Sequence, residues 1–220
     1  MITKDILQFL GELKQNNTRE WFTENKKKYE IANKSLLTLV EQFIPVVQAI
    51  DSTVGELAAK DCIFRIYRDV RFSHDKTPYK TNMGAYFAMG GRKSVKAGYY
   101  MHLEPGGSML AGGIWMPEAD VLKKIRQEIY FNSAEFKTLL ATKSFKDYFG
   151  VLSEDGKLKN PPKDFPKDFP DIELLKHKDF TMFYRIDDET VSSEDFPKVV
   201  SKVFEAMKPV NDFLNRAFRE

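Results

Sequence analysis

The sequence predicts an α+β protein in which helices at both ends of the chain flank a central antiparallel sheet. Apolar residues recur at helical spacing before residue 60 and after residue 117, whereas the stretch between them alternates with period two and is rich in β-branched and aromatic side chains. Glycine pairs separate the extended runs, as short hairpin connections require. This order of elements differs from the strand–helix alternation of a doubly wound sheet.

The predicted helices are recognised by their apolar stripes and by the residues at their ends. The first covers residues 3–13, and a longer one follows the KQNNT break, where Asn17 and Glu20 form a predicted capping pair. After the sheet, Pro117 opens further helices, and the last helix ends near Phe218. Each apolar stripe requires a partner surface that buries it.

Five strands are predicted from alternating or apolar runs that end at turn residues. They cover approximately residues 62–72, 81–89, 97–105, 108–116 and 180–186. Gly106 and Gly107 predict a tight hairpin between the third and fourth strands, because glycine adopts left-handed backbone conformations at little cost. An antiparallel sheet of this kind can bury one face on a core and offer the other to solvent or to a ligand.

Composition limits the class of protein. With 220 residues, of which 42% are hydrophobic and 13% aromatic, the chain is expected to form a single domain over residues 1–220. The formal net charge of +2 disfavours nucleic-acid binding by overall charge, so any basic patch is local. The single cysteine, Cys62, cannot form an internal disulfide or a cysteine-cluster metal site. No secretion signal and no apolar run of ~20 residues is present, so a cytoplasmic protein without a membrane partner is predicted.

The densest group of functional side chains lies in and just after the first predicted strand. Strand alternation places Arg65, Asp69 and Arg71 on one face and Arg68 on the other. Asp69 can hold the two arginines of its own face through charge-assisted hydrogen bonds, and an arginine fork binds carboxylate or phosphate at two points. The predicted ligand-binding residues are therefore Arg65, Arg68, Arg71 and Lys76.

Proton chemistry is predicted for Tyr79, His102 and Asp69. Tyr79 follows the arginine-rich strand in the next loop, where its hydroxyl can donate to an oxyanion. His102 shares one strand face with Glu104 and fits an oriented general base, although a lone histidine on a strand is more often structural. No compact ligand spacing supports a metal site, and no cofactor is specified.

The charged residues of the first predicted strand have a second interpretation. Arginines and carboxylates in this pattern can simply tie a strand to its neighbours as an ion-pair lattice. Arg68 in particular requires an acidic partner if it faces the core, and Asp61 or an acid in residues 187–189 can serve. The residue types alone leave the lattice and the ligand site equally open.

Two functions follow from these residues. The first is a site for a small-molecule anion, phosphate or carboxylate, with or without enzymatic activity, which requires a concave pocket. The second is a binding module that engages nucleic acid or a protein partner through the same basic and aromatic face, which requires an open, flat surface. The near-neutral charge favours the first, and the sequence specifies no oligomeric state.

Several segments of the chain resemble a bacterial family. Arg65-x-x-Arg68-Asp69-x-Arg71-Phe72, followed by Asp75-Lys76 and Tyr79, is similar to the defining motif of the conserved domain of unknown function 2461. The stretches NNTREWF, GYYMHLEPGG and GGIWMP also resemble that family, so the likeness spans nearly the whole chain. The resemblance implies a single domain and supplies no activity.

Overall fold

A sheet of four antiparallel strands forms the centre of the computed structural model, which describes residues 2–71 and 73–218. The strands are β1 (Met83–Phe87), β2 (Gly98–Leu103), β3 (Met109–Ile114) and β4 (Phe180–Arg185). They lie in the order β1-β2-β3-β4, and every neighbouring pair is antiparallel. The predicted α+β class is confirmed, together with four of the predicted strands within slightly shorter bounds.

Helices precede and follow the sheet, as the sequence predicts. The N-terminal group is α1 (Ile2–Gln15), α2 (Arg19–Glu24), α3 (Lys26–Ile50) and α4 (Ala59–Cys62). Between β3 and β4 lie α5 (Ala119–Phe131), α6 (Ser133–Ala141), α7 (Lys143–Phe149) and α8 (Ile172–Leu175), and after β4 come α9 (Asp188–Val191) and α10 (Phe196–Asn215). Single 3-10 turns lie at Ser52–Val54, Gly91–Lys93 and Arg216–Phe218. No helix in the described part of the chain is long and apolar enough to cross a membrane.

The two faces of the sheet differ in burial because side chains alternate across each strand. In β2, Tyr99, Met101 and Leu103 are buried, whereas Tyr100 and His102 point to the opposite face and are partly exposed. Cross-strand pairing extends this alternation over the neighbouring strands, so the whole sheet has one buried face and one open face.

The long helices α3 and α10 cover the buried face of the sheet. The ring of Phe204 in α10 packs on Tyr99 and Phe87, with ring centroids 5.1 Å and 6.2 Å away. Gly112 of β3 allows α10 to approach closely, because a Cβ atom there would lie 2.7 Å from Met207 Sδ. Helix α3 contacts both β1 and α10, and the side chains between these elements belong to the hydrophobic core.

The prediction of a regular strand over residues 62–72 is wrong. The first of these residues ends α4, and the rest form two isolated bridges in the described part of the chain. One joins Ile63 to Ala85 of β1, and the other joins Tyr67 to Tyr79. Residues 63–71 and 73–80, called the edge segment below, therefore lie beside β1 without forming a ladder with it.

The edge segment stays irregular because it changes its pairing partner. Phe64 N donates to the carbonyl of Gly84 in β1 (3.0 Å), but four residues later Arg68 N donates to the carbonyl of Pro78 (3.0 Å). Pro78 has no N–H group that could return a hydrogen bond, so a ladder cannot continue there. Phe72, which the sequence places on the apolar face of the predicted strand, lies outside the described residues.

The start of the second predicted helix also differs from the prediction. Thr18, rather than Asn17, caps it and accepts a hydrogen bond from Trp21 N (3.2 Å). The side chain of Asn17 instead bonds the backbone of Tyr79, accepting from its N–H (3.2 Å) and donating to its carbonyl (2.9 Å). Because Asn17 is used in this way, it ties the N-terminal helices to the edge segment.

A buried hydrogen bond joins the sheet to the end of α3 and predicts an effect on stability. Tyr99 Oη donates to Asp51 Oδ2 (3.0 Å), and both side chains are buried. We expect Tyr99→Phe to lower the free energy of unfolding by about 1–3 kcal/mol, because one carboxylate oxygen of Asp51 loses its partner while it stays buried. Chemical denaturation of the two proteins measures this difference.

Tyr67→Phe is the matched control for that measurement. Tyr67 is 50% exposed, and its hydroxyl makes no hydrogen bond within residues 2–71 and 73–218. Its replacement should change the free energy of unfolding by less than about 0.5 kcal/mol. Equal losses in the two variants would contradict a specific role for the bond between Tyr99 and Asp51.

Candidate functional site

The open face of the sheet is the floor of a cavity of 910 Å³. The side chains of the floor, which alternation directs away from the helices, include Tyr86, Tyr100, His102, Ala111 and Phe183. Its walls are the edge segment, residues 92–96 of the β1–β2 connection, and residues 115–118 after β3. A mainly apolar concavity of this size with a few polar groups is typical of small-molecule sites.

Two glycines on the open face make room for the tyrosine rings of the floor. A Cβ atom on Gly84 would lie 2.6 Å from Tyr100 Oη, and one on Gly98 would lie 3.0 Å from Tyr86 Cζ. The ring of Tyr100 also packs edge-on against Phe64 of the edge segment, with centroids 5.9 Å apart. The glycines thus let the aromatic rings lie across neighbouring strands as a continuous apolar surface.

Three polar side chains form a hydrogen-bonded row along β2 at one end of the cavity. Tyr100 Oη lies 3.1 Å from His102 Nδ1, and His102 Nε2 lies 3.2 Å from Glu104 Oε2. The hydroxyl of Thr81 donates to Glu104 Oε1 (2.8 Å) and holds the carboxylate in place. The structure therefore brings Tyr100, His102 and Glu104 together on one strand face, as strand alternation predicts.

The row has a definite proton order when His102 is neutral. A carboxylate only accepts hydrogen bonds, so Glu104 requires a proton on Nε2, and Nδ1 then accepts from the Tyr100 hydroxyl. Burial, and secondly the negative charge of Glu104, raise the pKa of Tyr100 to about 12. Tyr100 therefore presents a protonated hydroxyl at the cavity floor. Among residues 2–71 and 73–218, no three histidine, cysteine, aspartate or glutamate side chains are grouped to hold a metal ion.

Lys80 places a positive charge at the same end of the cavity. Its Nζ lies 5.6 Å from the centroid of the Phe64 ring, and that ring contacts Tyr100. Burial, and secondly repulsion by Arg65, lower the pKa of Lys80. An anion beside Lys80 would favour its charged form and so offset both effects.

Arg68 lines this end of the cavity and is held by its own loop. Its guanidinium contacts the carboxylate of Asp75 and the hydroxyl of Thr77. The acidic partner of Arg68 is therefore Asp75, and the expected partners, Asp61 or an acid in residues 187–189, are wrong. Asp75 is closer because the edge segment folds back on itself. The backbone N–H of Thr77, and secondly Arg68, lower the pKa of Asp75 to about 2.

Asp69 and Arg71 form a bidentate ion pair at the rim of the cavity. Arg71 Nε donates to Asp69 Oδ1 (2.9 Å), and Arg71 Nη2 donates to Asp69 Oδ2 (2.7 Å). These bonds are the main reason that the pKa of Asp69 falls to about 2, whereas Arg65 acts only as a further charge. The sequence predicts that Asp69 binds both Arg65 and Arg71, and in the structure it forms hydrogen bonds with Arg71. Arg65 and Arg71 are exposed and do not line the cavity.

The structure places Lys76 and Tyr79 outside the cavity. Lys76 Nζ donates to the carbonyl of Val70 (3.0 Å), and the lysine side chain is exposed. Tyr79 is buried and stacks on Phe22 of α2, with ring centroids 4.0 Å apart and ring planes 12° apart. Burial also raises the pKa of Tyr79. Tyr79 therefore packs in the core, where it joins α2 to the edge segment.

The cavity also contains residues that the sequence analysis does not select. They include Lys80, Arg92, Lys96, Tyr100 and Trp115. The position of Tyr100 could be predicted from the sequence, since strand alternation places it on the same face as His102. Lys80 is adjacent to the predicted Tyr79. The other three lie in connections, whose position relative to the sheet cannot be derived from local spacing.

Comparison with known proteins identifies one relationship. A family model described as a conserved hypothetical protein (DUF2461) matches residues 5–213, which is nearly the whole chain. No curated protein matches the chain significantly, and no solved structure does.

The hydrogen-bonded row predicts the tautomer of His102. Nitrogen NMR of the imidazole rings should show neutral His102 with its proton on Nε2. In Glu104→Gln the amide can donate as well as accept, so we expect both tautomers. His177 is an internal control, because its Nδ1 lies 2.9 Å from the carbonyl of Ser153 and carries the proton in both proteins. A neutral His102 protonated on Nδ1 would contradict the row.

Proposed function

Because the chain belongs to the DUF2461 family of conserved hypothetical proteins, whose description states no activity, we propose a function from the cavity itself. The cavity binds a small organic anion. The carboxylate or phosphate group of this ligand lies beside Lys80 and Arg68, and its apolar body covers the floor formed by Tyr100 and Phe183.

One observation carries the proposal: an apolar concavity of 910 Å³ has cationic side chains at its rim and neutral rings at its floor. Lys80 is half-buried, and no carboxylate lies within ion-pair distance of it in the described chain. A charge in this setting gains more from an anion than a fully solvated lysine does, since the local dielectric is lower. The apolar floor adds a contact that a simple inorganic anion cannot make.

The row of Tyr100, His102 and Glu104 supports a further role in proton transfer. Tyr100 can give its proton to a bound group, and the hydroxyl can equally accept a proton while His102 takes its own. Glu104 stabilises the imidazolium that forms in the second case. The cavity is therefore suited to a ligand whose reacting atom requires a proton donor or acceptor, and it combines this with fixed positive charge.

The second candidate, a module that binds nucleic acid or a protein, is supported by a different observation. Trp115 is 72% exposed and Met116 is 69% exposed, and both lie at the rim. A concave floor nevertheless favours the small-molecule ligand, because a module for extended partners requires a flat or groove-like face. A cytoplasmic location and a bacterial origin stay predictions from the sequence.

Decanoate is a suitable probe of the proposed site, since it combines a carboxylate with an apolar body. We expect calorimetry to detect decanoate binding, and Lys80→Met to weaken it about tenfold, because a charge-assisted contact contributes roughly 1.5–3 kcal/mol. Methionine keeps the apolar contact with Phe64 and removes only the charge. Decanol should bind more weakly than decanoate for the same reason.

Two further variants make this test specific. Lys93 is exposed and does not line the cavity, so Lys93→Met should leave the affinity for decanoate within about twofold. Lys76→Met tests whether the ligand binds instead at the exposed cations predicted from the sequence, Arg65, Arg71 and Lys76. Loss of binding in Lys76→Met but not in Lys80→Met would overturn the cavity as the site. Salt-sensitive binding of a single-stranded oligonucleotide, without any binding of decanoate, would support the second candidate instead.

A further inference from the structure

The cavity has two ends, which the register of the sheet defines. At one end His102 pairs with Gly84 and Met109, and at the other end Gly98 pairs with Gly113. The four-residue step from Gly98 to His102 spans ~13 Å at the usual rise of a strand. The anionic group of the proposed function occupies only the first of these ends.

The first end carries one lysine that forms no ion pair in the described part of the chain. Arg68 is paired with Asp75, and Arg71 is paired with Asp69, so these four side chains cancel in net charge. Lys80 remains, and it is directed over the Phe64 ring beside the floor. The carboxylate of Glu104, which bonds His102 and Thr81, lies at the same end, so the total positive charge is small and suits a group with a single negative charge.

The second end carries a single net positive charge, from Arg92, Lys96 and Glu118. Arg92 is held in place, because its Nη1 donates to the carbonyl of Lys60 (2.7 Å). Lys96 Nζ lies 3.7 Å from Met89 Sδ. Neither cation forms an ion pair with a carboxylate within residues 2–71 and 73–218. Each end thus has at least one cation without an ion pair and one carboxylate nearby, so neither end carries a large positive charge.

The floor between the two ends is neutral and largely apolar. It contains Tyr86, Tyr100, Ala111 and Phe183. The hydroxyl of Tyr86 is directed into the protein, where it contacts the carbonyls of Lys96 (2.8 Å) and Gly113 (3.2 Å). A ligand that spans the cavity therefore meets charge only at its two ends.

We propose that the ligand of this cavity is an elongated dicarboxylate with an apolar body between its two carboxylates. The inference rests on the proposed function and adds the second anionic group and the length of the ligand. A carboxylate carries one charge, whereas a phosphate monoester carries nearly two at neutral pH, so the small positive charge at each end suits carboxylates better. Trp115, which is 72% exposed, lies at the second end and covers the chain beside the second carboxylate.

A series of dicarboxylates tests the proposal by calorimetry. Adipate, sebacate and hexadecanedioate differ only in length, and decanoate matches sebacate in length but has one carboxylate. We expect sebacate to bind about tenfold more tightly than decanoate, adipate and hexadecanedioate, because only sebacate places a carboxylate at both ends. In Lys96→Met the affinity for sebacate should fall about tenfold, while Lys93→Met should keep it.

The outcomes separate this inference from the proposed function. Equal affinities for decanoate and sebacate, without an optimum of length, would overturn the dicarboxylate while leaving the anion site intact. Failure of every probe to bind would overturn the proposed function as well. An optimum of length that is unchanged in Lys96→Met would place the second carboxylate elsewhere and would also contradict the proposal. Circular dichroism of each variant confirms that it is folded.

Discussion

The asymmetric burial of the sheet is the constraint on which the rest of the structure depends. Helices α3 and α10 bury one face, and α6 and α7 pack onto α10 rather than onto the opposite face. The opposite face is bounded mainly by connections, so it forms a cavity instead of a second core layer. Antiparallel strands allow this arrangement, because their connections need not cross a sheet face.

The open face is stable although its rings are partly exposed, because its polar groups are paired within the floor. Tyr100, His102, Glu104 and Thr81 bond one another in sequence, and Tyr86 bonds two carbonyls. A partly buried polar row of this kind is rigid when each member has a partner. The cationic side chains lie at the edges of this rigid floor, so positive charge and apolar surface are separated. An amphipathic anion requires this separation.

The strands and their alternation could be predicted from the sequence, and so could part of the site. His102 and Glu104 meet because period two places them on one face, and the same rule identifies Tyr100. Even in the irregular edge segment, Arg65 and Tyr67 are exposed while Ile66 between them is buried. The single domain over residues 1–220 stays a prediction.

Other features depend on contacts that local patterns do not contain. Tyr79 is a core residue because Phe22, far away in the chain, stacks on it. Lys80 reaches the cavity because the edge segment folds back on itself between Arg68 and Pro78. Arg92 and Lys96 belong to the site only because the β1–β2 connection folds along its wall. Family membership identifies the motif that contains Arg68 and Asp69, but not which of its residues face the cavity.

A crystal structure of the protein soaked with decanoate tests the central claim most directly. The account predicts a carboxylate within hydrogen-bond distance of Lys80 Nζ, with the apolar chain on Tyr100 and Phe183. A decanoate carboxylate held instead by Arg65, Arg71 and Lys76, with the cavity free of ligand, would contradict the claim that the open face of the sheet is the binding site.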